Sequence, residues 1–427
     1  MSQPTLFPLD PPVHEDDWTF NGASTRELTH CYHDYPARMI PQIAEKLLSL
    51  YGQRAKQLFD PYCGTGTSLV EGLLFGLDVA GTDLNPLARL IATAKTDAVS
   101  PTAVRKEIND FYKAALNRRW KEAEPVSMLA GIKNLSFWFK PDVIIALTAL
   151  SERIRAIETD PVRRFFQVAF SETVRESSNT RNDEFKLYRY SAEKLEAFNP
   201  DVFQIMTRKI ERNYAGLVDY YSKMKSLSRR PHAQIYDFNT VDSIPISLIA
   251  PESVDIVVTS PPYGDSHTTV AYGQYSQLSA AWLGLSESGS IDRKLMGGSK
   301  RKTIPDFSCD ELNAAVQRIA EADEPRAREV AAFYRDLQSS INHVASIVRD
   351  RGYACYVVGN RIVKAVALPT DAVIRSFFKS CGFDHIETFT RSIPNKRMPK
   401  KNSPTNIVGK LASTMTKEYI VVMRKRG

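Results

Sequence analysis

The chain has 427 residues, 43% of them apolar and 25% charged, which excludes a disordered or collagen-like polymer and allows two or three folded domains. Net charge is +7, from 56 basic and 49 acidic residues, a mild excess that admits a polyanionic partner without requiring one. Five scattered cysteines with no C-x-x-C pair argue against a zinc site or a disulfide framework, and the absence of an apolar run of spanning length or a signal-peptide pattern argues for a cytoplasmic protein with no membrane partner.

Residues 1–28 read as an N-terminal arm, Pro-rich and acidic over most of its length and expected to be partly disordered. In THCYHDYPARMIPQIAEKLLSLYG, residues 29–52, Pro41 suits the first turn of an amphipathic helix carrying Ile43, Leu47, Leu48 and Tyr51. His30 and His33 lack an evident third metal ligand, so packing or hydrogen bonding is expected of them.

Residues 57–96 form a β-α-β unit: a strand ending at 57–59, a loop over 60–67, a helix from 68 to 75 and a strand over 78–82 with Asp83 at its tip. Gly64 and Gly66 let the backbone come close to a ligand. Asp83 can accept hydrogen bonds from both hydroxyls of a ribose. The third glycine of the dinucleotide fingerprint is missing, because position 69 is Leu69, and no Lys-Ser/Thr pair follows the loop, which excludes a P-loop. These departures favour a cofactor with a nucleoside but no pyrophosphate, and S-adenosyl-L-methionine fits. The cofactor candidates here are Asp60, Cys63, Gly64, Thr65, Gly66, Thr67, Asp83, Leu84 and Asn85, with a structural role expected of Cys63.

Residues 97–232 change character. Apolar residues recur at three-and-four spacing and strand signals are scarce, so an inserted helical domain is expected. Within it, residues 172–191 interleave Arg175, Arg181, Lys186 and Arg189 with Asn179 and with aromatic and hydroxyl side chains. That mixture suits phosphates, base edges and stacking, and makes the insertion a candidate target-recognition domain.

The sheet resumes near residue 235. Asp237 sits at a strand tip, where a carboxylate can accept from an adenine amino group, with Phe238 beside the ring. VDIVVTSPPY, residues 254–263, follows: a β-branched interior strand stopped by Ser260, Pro261, Pro262 and Tyr263. Two prolines fix two φ angles and remove two donors, leaving a rigid ridge of acceptors ending in an aromatic ring. The lone pair of an aromatic exocyclic amine is delocalised into its ring. The Ser260 hydroxyl and the Pro261 carbonyl, by holding the amine's N–H groups, would localise that pair for attack, while the Tyr263 ring stacks on the base. Residues 264–285 are expected to be a loop closing over a base, and 294–307 a mobile basic stretch. A long helix bearing Val330, Phe333, Leu337 and Ile341 comes next, then a strand over 352–361, a helix over 371–381, and strands over 384–391 and 418–425. Between these last strands, residues 391–406 carry Lys396, Arg397, Lys400 and Lys401 among three prolines, an expected phosphate clamp.

The pair DPYCGTGT, residues 60–67, and TSPPY, residues 259–263, resembles the amino-methyltransferases of DNA, and serine at position 260 resembles the cytosine-N4 group rather than the adenine-N6 group. The resemblance covers about 290 residues, with the cofactor half first, so the chain is unpermuted. It implies an α/β class I methyltransferase fold, Rossmann-like, with a mixed seven-stranded sheet formed by residues 29–96 and 233–427. The segment HDYPARMIP resembles the motif lining the methionine end of the cofactor, which adds Tyr35 to the cofactor set. The expected substrate is double-stranded DNA and the expected setting restriction–modification or a similar defence, with a cognate restriction endonuclease as partner. The same chemistry on adenine N6 or on an RNA base, and a non-catalytic DNA-binding protein on the same scaffold, are the alternatives.

Overall fold

The structure, a computed structural model, describes residues 18–116, 132, 134–181, 186–264, 270–285, 291–298, 303–393, 401–402, 412–413 and 416–427. Its main sheet is built from β1 (Gln57–Asp60), β2 (Asp78–Thr82), β3 (Ala233–Tyr236), β4 (Val254–Thr259), β5 (Val348–Val358), β6 (Phe383–Ser392) and β7 (Lys417–Lys425). Their spatial order is 3-2-1-4-5-7-6, with β7 antiparallel to both neighbours and the first five strands parallel. This is the mixed seven-stranded, Rossmann-like sheet that the resemblance implied.

β4 occupies the middle of the sheet, with three strands on either side. All six of its residues are buried, and each Val or Ile contributes about 1.5–3 kcal/mol by leaving water. Its single charge, Asp255, is satisfied: one oxygen accepts from the amides of Lys56 and Gln57 at 2.6 and 2.8 Å, and Arg349 pairs with the other at 2.6 Å. That carboxylate also sets where β1 begins.

Strand side chains alternate between faces, and the two faces build two cores. Leu58, Ile256, Val258 and Cys355 pack under helices α1 (Pro41–Tyr51) and α2 (Thr67–Leu74). Phe59, Val257, Ala354 and Tyr356 pack on the opposite side. A third core holds α3 (Pro86–Thr96), α4 (Pro101–Leu116), α5 (Pro141–Arg155), α6 (Asp160–Ser177) and α7 (Val202–Ser226). It takes in Tyr32, Tyr35, Leu87 and Ile91 from the cofactor half and Tyr275, Leu278 and Trp282 from beyond the ridge. The helices of 97–232 thus share one apolar cluster with the segments that flank the sheet's carboxyl edge.

One expectation changes. Residues 264–285 do not form a loop throughout: Tyr272–Trp282 is a helix, α8, because Tyr275, Leu278 and Trp282 recur at helical spacing and bury against α6. The small hydroxylated residues between them are its packing face, where Ser279 donates to the Ser171 carbonyl at 2.6 Å. The N-terminal arm, whose first 17 residues lie outside the described ones, joins the core at Trp18. Its ring sits 4.7 Å from that of Phe389, with the Lys46 ammonium 4.4 Å from its centre. The stretch 294–307 is anchored at both described ends, through buried Met296 and Phe307 and a 2.8 Å bond from the Gly297 amide to Asp336. The face of the sheet bearing Phe59 and Val257 is covered by α9 (Asp310–Ala322), α10 (Glu324–Ile347) and α11 (Thr370–Ser380).

Candidate active site

β1 pairs with β2 on one side and β4 on the other, so the chain reverses direction of build at β1. A cleft belongs at the carboxyl ends of such strands, and one is there. It is lined by Tyr35, Pro36, Ala37, Arg38 and Met39, by the loop after β1, by Asp83 and Asn85, by Ser260 and Pro262, and by Tyr272 and Leu295.

The loop is shaped by Asp60. Its carboxylate is buried and accepts from the Thr259 hydroxyl at 2.5 Å, the Tyr62 amide at 3.0 Å and the Ser68 hydroxyl. One side chain therefore ties the end of β1, the start of α2 and the last residue of β4 together. Burial pushes its carboxyl up to about 6, against the pull of those three donors. An acid whose folded value stands above the ordinary 3.8 contributes stability that is complete below that lower value and lost as pH rises through about 6, a total of roughly 3 kcal/mol. Asp60→Asn is expected to remove this component. Urea unfolding of wild type and variant from pH 4 to 7 checks it: the decline over that window should be shallower in the variant, and parallel curves would clear Asp60 as its source.

The turn after Asp60 needs glycine twice. Gly64 has φ +49°, and a side chain built there would meet nothing within 4 Å, so its face is open to the cleft. Gly66 has φ +75° as the residue before α2, and a side chain there would press on Ala92 at 3.1 Å. The first amides of α2 carry no side-chain cap and end as a positive pole facing the loop. Thr65 lines the cleft with its hydroxyl buried and, among the described residues, unpartnered. Cys63 packs behind the loop, its amide bonded to the Thr82 carbonyl at 3.0 Å, and burial pushes its thiol well up, which removes it as a nucleophile.

Asp83 is half-buried at the tip of β2. It accepts from the Gly64 amide at 3.1 Å and the Asn85 amide at 2.7 Å; a carboxylate offers about four acceptor positions, so each oxygen keeps one. Burial raises its carboxyl above the usual range. Asn85 caps α3 through the Leu87 amide and donates to the Tyr35 hydroxyl and the Ser276 hydroxyl, both at 2.9 Å. Tyr35 stacks on Tyr272 at 6.0 Å. Asn85 is thus a hub joining the cofactor loop to α8, a role that follows from tertiary contacts alone.

On the ridge, Pro261 is buried and Ser260, Pro262 and Tyr263 half-buried. The Ser260 hydroxyl points toward that of Tyr263 at 3.5 Å, and Tyr263 donates to Glu418 at 2.8 Å. Burial, then the Glu418 carboxylate, push the Tyr263 phenol well up. The candidates Tyr35, Asp60, Cys63, Gly64, Thr65, Thr67, Asp83, Asn85, Ser260 and Pro262 all line the one cleft. Gly66, Leu84, Pro261 and Tyr263 adjoin it. Asp237 is exposed at the neighbouring tip of β3, and Phe238 stacks between Tyr236 at 5.5 Å and Phe59 at 6.4 Å.

The cationic candidates divide. Arg181 and Arg189 are exposed, with Arg189 lying over the Phe137 ring at 4.4 Å, and Lys186 is half-buried. Arg175 and Asn179 are a correction to the expected contact set. Arg175 is buried over the Tyr275 ring at 4.1 Å, and Asn179 donates to the Phe137 carbonyl at 3.2 Å. The helix carrying Arg175 turns that position inward against α8, so both side chains serve the interior. Lys396, Arg397 and Lys400 lie outside the described residues, as does the side chain of Lys401. His30 bonds to Glu71 at 2.7 Å, and His33 packs near the rings of Tyr35 and Tyr275. Sequence reasoning passed over Tyr272, Leu295 and Glu418.

Residues 27–125 match the family model UPF0020, described as an RMKL-like methyltransferase domain. The chain is 42% identical over 422 residues to the type II methyltransferase M.MvaI of Kocuria varians, across 95% of this chain and 93% of that protein. A tRNA (guanine(10)-N2)-dimethyltransferase of Methanothermobacter thermautotrophicus is 40% identical over 52 residues, 12% of this chain and 16% of the other. Among solved structures, the rRNA methyltransferase aviRa from Streptomyces viridochromogenes aligns over 91% of this chain and 86% of its own, with TM-score 0.32 and 12% identity.

Proposed function

The chain belongs to the type II methyltransferases, S-adenosyl-L-methionine-dependent enzymes, and from that premise we propose that it methylates the exocyclic N4 amine of cytosine at a specific site in double-stranded DNA. The observation that carries this reading is the shared cleft: Ser260 and Pro262 of the acceptor ridge line the same space as Gly64 and Asp83.

The cofactor fits on grounds internal to this chain, namely the open face of Gly64, the orphaned Thr65 hydroxyl and the free acceptor positions of Asp83. When bound, S-adenosyl-L-methionine supplies an electrophilic methyl group on a sulfonium. Asp83 holds its ribose hydroxyls, and Asp237 takes the adenine amino group with Phe238 beside the ring. Asp60, the backbone of Gly64, Thr65 and Gly66, and the first turn of α2 hold the methionine end. Tyr35 closes that end from the opposite wall, with Leu84 and Thr67 flanking the loop.

The target base leaves the duplex, since its amine cannot otherwise meet the methyl donor in line. Ser260 Oγ and the Pro261 carbonyl accept the amine's two N–H bonds, which localises the nitrogen lone pair, and Tyr263 holds the plane of the base. Transfer is a direct displacement, so positioning supplies much of the acceleration. No cysteine takes part; the chain lacks a Pro-Cys pair. Arg181, Lys186 and Arg189 on the helical segment, which we assign to target recognition, contact the DNA together with Lys396, Arg397, Lys400 and Lys401. In a restriction–modification setting the product protects the site from a cognate endonuclease.

The test is to methylate DNA with labelled S-adenosyl-L-methionine, digest it and weigh the modified nucleoside. N4-methylcytosine is expected. N6-methyladenine, or label entering tRNA or rRNA but not DNA, would move the assignment to the second reading, the same displacement on another base. Failure to bind the cofactor by calorimetry would favour a non-catalytic DNA-binding scaffold.

A further inference from the structure

The ridge continues into a chain of hydrogen bonds that ends on the far strands of the sheet. Ser260 donates to Tyr263 across a long 3.5 Å, Tyr263 donates to one oxygen of Glu418 at 2.8 Å, and Arg391 donates to the other oxygen at 3.0 Å. Glu418 on β7 and Arg391 on β6 are directly paired in register, and Arg391 is buried. Catalytic hydrogen bonds are often long before ligands bind and tighten in the complex.

We propose that Glu418 is a positioning residue which sets the direction of this chain, so that the Ser260 oxygen presents its lone pairs, and not its proton, to the target amine. The inference rests on the reading of Ser260 as the amine's acceptor. An ionised carboxylate only accepts, whereas each hydroxyl has one proton and two lone pairs. With Glu418 accepting from Tyr263, the Tyr263 oxygen is left to accept from Ser260. The Ser260 proton is thereby directed away from the cleft. If the direction were reversed, Ser260 would aim its proton at an amine that itself donates, and the two hydrogens would oppose each other. Arg391 pairs with the half-buried carboxylate and holds its second oxygen, so the first has no competing donor from that side.

Glu418→Gln distinguishes direction from mere packing. The amide has the carboxylate's shape, and Arg391 draws its oxygen, which turns the NH2 toward Tyr263. Tyr263 must then accept and pass its own proton to Ser260. The expected result is a fall in kcat of about tenfold or more, as for loss of an oriented acceptor, with KM for DNA and Kd for S-adenosyl-L-methionine within about threefold of wild type. Adding Tyr263→Phe to Glu418→Gln breaks the reversed chain and keeps the ring, so the double variant should be faster than Glu418→Gln alone. Tyr263→Phe by itself should lose a smaller part of kcat, about threefold to tenfold, and stands in if Glu418→Gln does not fold. Glu418→Gln within twofold of wild type, a double variant no faster than the single one, or an unaltered kcat for Tyr263→Phe would each overturn the proposal. Wild-type product is identified in the same assay. If wild type modifies no amine, the reading of the site fails and takes this inference with it; if wild type modifies cytosine and Glu418→Gln matches it, the inference alone fails.

Discussion

Ser260→Ala is expected to slow methyl transfer by about 10²- to 10³-fold, roughly 2.7–4 kcal/mol in barrier, the usual consequence of removing one oriented partner of a developing charge. Among the described residues the hydroxyl's hydrogen-bond partner is Tyr263, at 3.5 Å, and not a group of the cofactor loop. Cofactor affinity should therefore stay within about twofold, and kcat and kcat/KM should fall together, the pattern of an interaction made in the transition state. Folding should not suffer, because Ser260 is half-buried and lies past the end of β4, whose six buried residues carry the strand. Single-turnover rates on a DNA containing the target site give the measurement. A rate within about threefold of wild type, less than about 1 kcal/mol, would remove the hydroxyl from the mechanism.

Asp83→Ala should give the opposite split. Each hydrogen bond from a ribose hydroxyl to a carboxylate is worth about 1.5–3 kcal/mol, so losing two should raise Kd for S-adenosyl-L-methionine about 100-fold or more. The variant also strips acceptors from the amides of Gly64 and Asn85, at 3.1 and 2.7 Å, which loosens the loop that the cofactor lies on. At saturating cofactor kcat should recover to within about threefold of wild type, since Asp83 does not reach the amine. Asp83→Asn keeps the shape and loses the charge, and should fall between the two. Calorimetric titration of the three proteins orders them; a Kd shift below about threefold in Asp83→Ala would place the ribose elsewhere. Because Ser260 and Asp83 line one cleft, the two variants divide its labour between substrate and cofactor.

Much of this site was readable from local sequence because its parts are local. A β-branched run closed by two prolines has one economical fate, an interior strand with a stiff end, and β4 begins and ends where that pattern does. The loop after β1 needs φ > 0 at Gly64 and Gly66, and glycine spacing records such demands directly. Helix α8 was hidden for the converse reason. Ser276, Ser279 and Ala280 look like loop residues, but small side chains are what a helix needs to lie close against α6, and only the buried Tyr275, Leu278 and Trp282 show that it does. Arg175 misled in the same way: beside exposed cations in sequence, it turns inward once α6 takes its rotation about its axis.

Local sequence therefore determined the interior strand, the cofactor loop and the acceptor ridge, because each is specified by backbone torsions and burial within ten or so neighbouring residues, whereas the seven-stranded sheet was expected only from the resemblance that those motifs carry. The tertiary structure decided that loop and ridge open onto one cleft, that Asn85 couples Asp83 to α8, and that Glu418, 155 positions beyond Tyr263, ends its hydrogen-bond chain. Those pairings arise from sheet register and helix rotation, which depend on how distant segments bury one another and leave no mark on the residues at either end.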